Sequence, residues 1–427
     1  MVIVGIIMAI IFFVMSIYSI RHYIFYWNRL FGKQKGSQQD LAGYFLPPVS
    51  IIVPMHNEEN VAENILELLA SMDYPKENGQ YEVIAINDNS SDATADIIND
   101  FASNYPFIKA VHRPQGGRGK GEALISGTEM ATNEIILVFD ADYQPSKACV
   151  KRLVAPFSDP EVGLVMGRVV PINTTSSLMT RLIDLERSGG YQVDQQARYN
   201  LGLVPQYGGT VGGIRRKVLE RIGGWNSMML AEDTDITIRS YARGWKIGYV
   251  NVAECYEEAV ENWKERRHQL FRWAVGHNQS LLQHSRSIIV NPLLSTIQKI
   301  DGMLLLGVYI VPVLMFIGLF LSIVAYFFGS YWWWLLFSAL VFTIGYNNVG
   351  NFAAFNEVGI SAVLDKRGRI IWLLPWSLFN FFANIWLCTG AFLRSLVLHG
   401  QDVTAQAVGM EKNGVKWKKT LKRGKTR

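Results

Sequence analysis

The sequence contains few cysteines and few charged residues. Its three cysteines, Cys149, Cys255 and Cys388, lie far apart and form no Cys-x-x-Cys pair, which argues against a disulfide framework and a structural zinc site. Only 18% of the 427 residues are charged, whereas 49% are hydrophobic and 12 are tryptophan. This composition excludes a disordered or collagen-like chain and does not favour a nucleic-acid-binding protein.

The basic excess is confined to the C-terminal end. The formal net charge is +5, but residues 411–427 contain eight Lys or Arg and one Glu, so the rest of the chain carries −2. A general attraction to polyanions is therefore not indicated, and nucleic acid is not an expected partner. We expect the basic tail, residues 398–427, either to bind anionic lipid or to fold back onto the protein.

A hydrophobic run opens the chain. Residues 2–20 contain no charge and are long enough to cross about 30 Å of hydrocarbon. We expect a transmembrane helix over residues 1–30 rather than a signal peptide, because no small-residue cleavage site follows the run. Arg21 and Arg29 follow it, so the positive-inside rule places Met1 outside and the next domain in the cytoplasm.

Further membrane spans are predicted within residues 301–397. Residues 302–356 contain no charge over 55 positions, and we expect spans at 303–328, 332–345 and 370–393. Three crossings would leave the basic tail outside, against the positive-inside rule, so either one segment is re-entrant or the count differs by one. Buried helices of a soluble protein are the alternative, which runs of this length disfavour.

Residues 48–255 have the character of a soluble domain. Strand-like runs alternate with helix-like segments along it, the strands at 49–53, 81–86, 107–111 and 134–139 and the helices at 58–71, 92–103 and 120–131. This β-α-β-α order predicts an α/β domain with a mostly parallel sheet and helices on both faces. Binding sites in such sheets lie at the carboxyl ends of the strands.

Acidic residues follow two of these strands. Asp88 comes after the second, and Asp140 and Asp142 come after the fourth, so we expect all three at one edge of the sheet. Carboxylates so close together repel each other unless a cation compensates. A divalent ion completed by substrate phosphates would do so, whereas a solvated turn is the alternative for the Asp-x-Asp triplet alone.

Two common nucleotide-binding motifs do not fit the sequence. A dinucleotide-binding fold needs glycines at the first strand-to-helix turn, but residues 54–59 read Pro-Met-His-Asn-Glu-Glu. The glycine-rich stretch at 116–121 does not form a phosphate loop, because Gly121 stands where Ser or Thr must bind Mg²⁺. Pro114 also occupies the position of the first required glycine.

A more specific series of motifs runs through the domain and beyond it. Asp88, the triplet Asp140-Ala141-Asp142, the pair Glu232-Asp233 and the stretch Gln269-Leu270-Phe271-Arg272-Trp273 occur in this order. The series resembles the motif set of glycosyltransferase family 2, in its processive membrane-embedded branch. Cellulose, hyaluronan, chitin and poly-N-acetylglucosamine synthases belong to that branch.

The resemblance implies a glycosyltransferase-A domain with a nucleotide diphosphate sugar lying across the sheet edge. On the donor side it implies that Asp88, Asn57, Glu58 and Lys120 line the nucleotide pocket, and that Asp140 and Asp142 hold Mg²⁺ or Mn²⁺. Gln269 and Arg272 are then expected to bind the pyrophosphate. On the acceptor side it implies that Glu232 binds substrate beside the catalytic base Asp233, and that Trp273 lies beneath the acceptor sugar. These residue types suit the reaction, which needs a carboxylate to take the acceptor's proton and cations to stabilise the departing diphosphate.

The same residues also allow structural interpretations. One of the acids in Glu232-Asp233-x-Asp235 is expected to cap a helix, which does not conflict with catalysis by Asp233. Residues 262–283 read as an amphipathic helix within a predicted interfacial region at 256–300. Such a helix could simply rest on the bilayer, and we expect it also to present Gln269 and Arg272 to the nucleotide.

The function expected from the resemblance is processive polymerisation. An inverting transferase would build a β-linked polysaccharide, most readily a β-glucan such as cellulose or a mixed-linkage glucan, from a UDP-sugar and move it across the plasma membrane. Alternatives are a polymer made from UDP-N-acetylglucosamine, a non-processive transferase acting on a lipid carrier, and a transporter with an inactive sugar-binding domain. Expected partners are the growing polysaccharide, membrane lipid, and accessory secretion proteins or a second copy of the chain.

Overall fold

The computed structural model describes residues 2–35, 44–116, 119–328 and 352–408. An eight-stranded sheet with strand order β3-β2-β1-β4-β7-β6-β8-β5 forms its centre. The strands are β1 (Val49–Met55), β2 (Tyr81–Asn87), β3 (Ile108–His112), β4 (Ile135–Val138), β5 (Tyr143–Pro145), β6 (Val162–Pro171), β7 (Gly212–Arg215) and β8 (Lys246–Glu257).

The first half of the sheet has the predicted architecture. Strands β3, β2, β1 and β4 lie side by side and parallel, and β2 is buried at every position. Continuous burial is expected where helices cover both faces of a parallel sheet. The connecting helices are α2 (Glu59–Ala70), α3 (Thr94–Asn104) and α4 (Lys120–Met130).

The second half of the sheet corrects the prediction of a mostly parallel arrangement. β7 lies between β4 and β6 and is antiparallel to both, and β5 is antiparallel to β8. Only the pair β6–β8 is parallel in this half. β7 and β5 are four and three residues long, too short to carry a clear sequence pattern, and their direction is set by their neighbours.

Six helices accompany the strands of this second half. They are α5 (Cys149–Val154), α6 (Leu178–Ser188), α7 (Gln196–Leu201), α8 (Arg216–Ile222), α9 (Glu232–Tyr241) and α10 (Trp263–Ile289), and a π-helical segment, Gly189–Gln195, joins α6 to α7. The helix α10 covers nearly all of the amphipathic stretch predicted at 262–283. It is capped by Asn262, whose side chain accepts a hydrogen bond from the Glu265 N–H.

The remaining helices are predominantly apolar. They are α1 (Val2–Phe31), α11 (Thr296–Leu306), α12 (Val311–Phe328), α13 (Phe352–Leu364) and α14 (Leu374–Val408). A cluster formed by Met8, Ile11, Met15 and Val311 packs α1 against α12. Another set, Ala274, Val275, Cys388 and Ala391, packs α10 against α14, so apolar contacts join α10 to one of these helices.

One helix among the described residues, α1, is long and apolar enough to cross a membrane. The segment predicted as a span at 303–328 is bent, because Thr296–Tyr309 and Val311–Val324 meet at an angle of 70°, as in a broken span or a re-entrant segment. Pro312 lies at this break, and a proline is accommodated in the first turn of a new helix but not inside one. The predicted span at 332–345 lies outside the described residues.

A group of charged side chains lies where α1 meets the α/β domain. We call it the junction cluster and define it as Arg21, His22, Asp194, Arg198, Asp301 and Glu357. Arg198 pairs with Asp194 and, at 2.6 Å, with Asp301. His22 Nδ1 lies 2.7 Å from Glu357 Oε2. All members except Asp194 are buried, so the cluster ties α1 and α13 to the domain through neutralised charges.

Candidate active site

The side of the site expected to bind the nucleotide is built at the carboxyl ends of β1 and β2. The backbone of Asn57 turns into the left-handed region at φ 55°, and its side-chain oxygen accepts a hydrogen bond from the Ser91 N–H at 2.7 Å. His56 Nδ1 lies 2.8 Å from the Asp88 carbonyl oxygen, and Thr94 Oγ1 accepts from the Glu58 N–H at 2.8 Å. The structure therefore brings the predicted Asn57, Glu58 and Asp88 to one edge.

Arg113 is a site residue that the sequence analysis missed. It pairs with the buried carboxylate of Asp88 and follows the end of β3, the neighbour of β2 in the sheet. The rule that selected Asp88, that polar groups collect at the carboxyl ends of parallel strands, would also have selected Arg113. The close approach of Gly116, whose position leaves no room for a side chain beside Asp88, completes this pocket wall.

Lys120 lies at the centre of the acidic residues. Its ammonium nitrogen is 2.5 Å from Asp140 Oδ1 and 3.9 Å from Glu232 Oε1, and it donates to the Gly209 carbonyl oxygen at 2.7 Å. Burial acts to lower the pKa of Lys120, but Asp140, Glu232 and Asp233 outweigh it and raise that pKa. Lys120 therefore stays charged and links strand β4 to helix α9.

The loop at residues 207–210 supports both sets of acids. Thr210 Oγ1 accepts a hydrogen bond from the Asp140 N–H at 3.0 Å. Gly209 adopts φ 77°, and a Cβ there would lie 3.2 Å from the Cβ of Asp233, so a larger residue would press on that side chain in a backbone conformation favouring glycine. The loop thus fixes the separation between the Asp140 and Asp233 backbones.

Asp233 occupies the first turn of α9. Its Oδ1 accepts a hydrogen bond from the Thr234 N–H at 2.7 Å. Burial raises the pKa of Asp233, and Lys120 and Arg272 offset part of that rise. Burial likewise raises the pKa of Glu232, with Asp233 adding to the effect. A carboxylate with a raised pKa accepts a proton more readily, which is the property required of a general base.

Asp235 has a structural role. It is fully buried, its Oδ1 lies 2.7 Å from His284 Nε2, and its Oδ2 pairs with Arg239 at 2.5 Å. The expectation that one acid of this motif caps a helix is wrong, because the cap position of α9 is Ala231 and no side chain caps it. Asp235 instead fastens α9 to α10 through His284.

Helix α10 brings the third part of the predicted site to the same place. Gly276 of α10 packs against Ala231, and a Cβ at that glycine would lie 2.6 Å from the Ala231 Cβ. Arg272, one helical turn earlier, therefore faces the start of α9, and its charge lowers the pKa values of Glu232 and Asp233. Gln269 accepts a hydrogen bond from Arg266 at 2.8 Å.

We call the convergent charged side chains the edge cluster and define it as Lys120, Asp140, Asp142, Glu232, Asp233 and Arg272. Asp142 belongs to it because its charge raises the pKa of Asp140, in addition to the larger effect of burial. Two carboxylates on one strand end suit a magnesium or manganese ion, which commonly takes one or two protein carboxylates and completes its shell with substrate phosphates and water. Asp140 and Asp142 thus fit the predicted metal.

One group of three possible metal ligands occurs among the described residues, and it belongs to the junction cluster. Ligand atoms of His22, Asp194 and Glu357 lie within 4.8 Å of one another. Arg198 already pairs with Asp194, and Arg21 lowers the pKa of that carboxyl together with Arg198. Because guanidinium groups already supply the positive charge, this group is better explained as a structural ion cluster.

Comparison with known proteins assigns the domain to a family. Residues 50–223 match the model of glycosyl transferase family 2. A probable glycosyltransferase, YdaM of Bacillus subtilis, is 39% identical over 241 residues, which are 56% of this chain and 57% of that protein. A beta-monoglucosyldiacylglycerol synthase of Trichormus variabilis is 34% identical over 285 residues, 66% of this chain and 60% of that protein.

A solved structure has a similar fold. The mannosyltransferase PcManGT from Pyrobaculum calidifontis, in complex with GDP-Man and Mn²⁺, superposes with a TM-score of 0.64 at 19% identity, covering 92% of this chain and 98% of that one. This confirms an α/β fold of the glycosyltransferase-A type, with the mixed sheet described above. The family match supports a glycosyl transferase family 2 domain over residues 50–223, whereas the processive branch stays a prediction. The chain spans less than two thirds of the length of the curated relatives.

Proposed function

We propose that the protein is an inverting hexosyltransferase that moves a sugar from a UDP-sugar to a lipid acceptor at the cytoplasmic membrane surface. The observation that carries the proposal is the convergence of Asp233, Lys120 and Arg272 in a family 2 domain. The lipid acceptor is supported by the 34% identity to beta-monoglucosyldiacylglycerol synthases. This acceptor was the alternative interpretation of the sequence, and the comparisons favour it over a polymer.

The reaction follows from the roles proposed for the site residues. The acceptor oxygen attacks the anomeric carbon, its proton passes to the Asp233 carboxylate, and the bond from that carbon to the diphosphate oxygen breaks with its electron pair leaving on the diphosphate. In-line displacement inverts the configuration. Arg272 and the amide of Gln269 bind the diphosphate as its negative charge grows. A divalent ion held by Asp140 and Asp142 would neutralise part of that charge when bound.

The acceptor side is assigned to Trp273. An indole face offers flat apolar contact area to an acyl chain, or to a pyranose face in the polymerase candidate, while leaving the attacking hydroxyl free. Trp273 lies one residue beyond Arg272 on a half-buried stretch of α10. Asn57, Glu58 and Asp88 are assigned to the nucleoside end, where Arg113 holds the Asp88 carboxylate. Glu232 is assigned to substrate binding beside Asp233.

A polymerase is a second candidate, favoured by the Gln269-x-x-Arg272-Trp273 motif, whose Arg272 acts on the pKa values of Glu232 and Asp233 in α9. It would build a β-linked polysaccharide, either a β-glucan or a polymer of N-acetylglucosamine units. Both candidates share a membrane location with the domain in the cytoplasm, which is supported by the apolar helix α1 and its flanking Arg29. Additional crossings, and a secretion partner or second copy, belong to the polymerase candidate.

Product analysis separates the two candidates. Purified protein in detergent with dioleoylglycerol, Mn²⁺ and radiolabelled UDP-glucose should yield a singly glycosylated lipid on thin-layer chromatography. The Asp233→Asn variant, prepared in parallel, should yield none. A product that stays at the origin and is digested by a β-glucanase would favour the polymerase. Absence of transfer from UDP-glucose, UDP-galactose and UDP-N-acetylglucosamine alike would contradict both candidates.

A further inference from the structure

Trp273 is held between elements by two arginine side chains. The guanidinium carbon of Arg187, at the end of α6, lies 5.2 Å from the indole centroid. That of Arg266, two turns earlier on α10, lies 5.4 Å from it. Guanidinium groups at such distances attract the indole ring through its quadrupole. The orientation of Trp273 therefore depends on where these two arginines are held.

The two arginines differ in how firmly they are anchored. Glu257 receives two hydrogen bonds from Arg187, from Nε to Oε1 at 2.7 Å and from Nη2 to Oε2 at 3.3 Å, a bidentate arrangement that fixes the guanidinium plane. The Glu257 side chain is only 6% exposed. Arg266 instead pairs with Glu186, whose side chain is 47% exposed. Glu257 is thus the more protected of the two anchors.

Glu257 also contacts the opposite side of the site. Its Oε2 accepts a hydrogen bond from the Tyr143 hydroxyl at 2.9 Å, and Tyr143 faces Glu257 across the β5–β8 pair. Tyr143 directly follows Asp142 in the chain, which is one of the two residues assigned to the metal.

We propose that Glu257 is a positioning residue that sets the separation between the donor and acceptor halves of the active site. One carboxylate holds Tyr143, and hence the backbone of Asp142, and also holds Arg187, which orients Trp273. The inference rests on the proposed function, which assigns one half to the sugar donor and the other to the acceptor. The proposal predicts that the two contacts of Glu257 affect different substrates: the contact with Tyr143 should affect the donor, and the contact with Arg187 should affect the acceptor. A purely structural salt bridge would not separate the two substrates in this way.

Variants that remove one contact of Glu257 at a time test the proposal. Arg187→Met should raise the KM for dioleoylglycerol about tenfold and leave the affinity for UDP with Mn²⁺, measured by calorimetry, within about twofold. Tyr143→Phe should lower that UDP affinity about fivefold, as for one lost hydrogen bond, without changing the acceptor KM. Glu257→Gln should show both effects. Lys246→Met, at the other end of β8 with an exposed pair to Glu161, is the matched control.

A spectroscopic measurement decides the inference without any acceptor. In protein labelled with 5-fluorotryptophan, the ¹⁹F resonance of Trp273 is identified by its loss in Trp273→Phe. It should shift in Arg187→Met and Glu257→Gln and stay in place in Tyr143→Phe and Lys246→Met. An unmoved resonance in Arg187→Met, or equal effects of all variants on both substrates, would overturn the proposal. Failure of the proposed function would appear separately, as no transfer by the wild-type protein.

Discussion

The edge cluster and the junction cluster are two groups of six ionisable side chains that differ in the ratio of acidic to basic groups. The junction cluster pairs three carboxylates with two arginines and a histidine, and five of its six members are buried. The edge cluster sets four carboxylates against Lys120 and Arg272, and burial raises the pKa values of Asp140, Glu232 and Asp233. A matched set of charges stabilises an interface, whereas an unmatched set is suited to a cationic ligand or to a proton.

The largest expected effect is loss of turnover on changing the base. Asp233→Asn keeps the shape of the side chain but removes the proton acceptor, so we expect the transfer rate to fall by about 10²–10⁴. Thermal unfolding in detergent should occur at the same temperature or higher, because one unmatched buried charge is removed. The rate of UDP-sugar consumption and a melting curve measure the two effects. A strong loss of stability would show that the edge cluster is structural after all.

Chelation is expected to have the next largest effect. EDTA should stop transfer, and Mn²⁺ or Mg²⁺ should restore it, because two carboxylates on one strand end are assigned to the ion. Asp142→Ala should reduce both the rate and the affinity for UDP, since a metal bridge to the diphosphate acts in the ground state and in the transition state. Activity that survives EDTA would disprove the assignment of Asp140 and Asp142.

A substitution in the junction cluster should lower the stability of the protein rather than its turnover. Arg198→Met leaves the carboxylates of Asp194 and Asp301 without their shared partner, and breaking such a buried pair costs about 3–5 kcal/mol in the free energy of unfolding. Denaturant unfolding in detergent measures this cost. Lys246→Met is the control, because its exposed pairs contribute only about 0–1 kcal/mol. If Arg198→Met lowered turnover and left stability unchanged, the distinction between the clusters would fail.

The smallest expected effect is a shift in pH dependence. Lys120 lowers the pKa of Asp233, against the larger upward effect of burial, so Lys120→Met should raise that pKa further. Because the base must be deprotonated, activity is lost as the pH falls through its pKa, and the acid limb of the rate profile should move to higher pH. The quantity to measure is the pH at the midpoint of the acid limb, rather than the maximal rate. A limb that moves to lower pH would contradict the geometry around Lys120.

Local sequence patterns predicted the first half of the sheet closely. The runs expected at 49–53 and 134–139 are the strands Val49–Met55 and Ile135–Val138, since apolar β-branched runs between helical segments leave few alternatives. The direction of β7 could not be read in the same way, because its four residues pair with strands distant in the chain. The bend between α11 and α12 did leave a signal at Pro312, which a count of uncharged residues overlooks.

The partners of the site residues were harder to predict than the residues themselves. Asp88 and Asp140 were found from their place after strands, but Arg113 and Glu257 were not, although both also stand at strand ends. Glu357 is a different case. It is the first charged residue after a run of 55 uncharged ones, and an isolated acid in such a setting usually has a buried partner, here His22.

The sequence by itself determined which chemical groups this protein carries and the order of the strands and helices in the first half of the sheet, because both depend on residue type and local periodicity. The tertiary structure alone decided which charges meet. The pairing of Lys120 with Asp140, of Arg187 with Glu257 and of Arg198 with Asp301 joins residues 20 to 103 positions apart. Electrostatic energy depends on distance and burial in space, so the difference between a reactive cluster and a structural one appears only after the chain has folded.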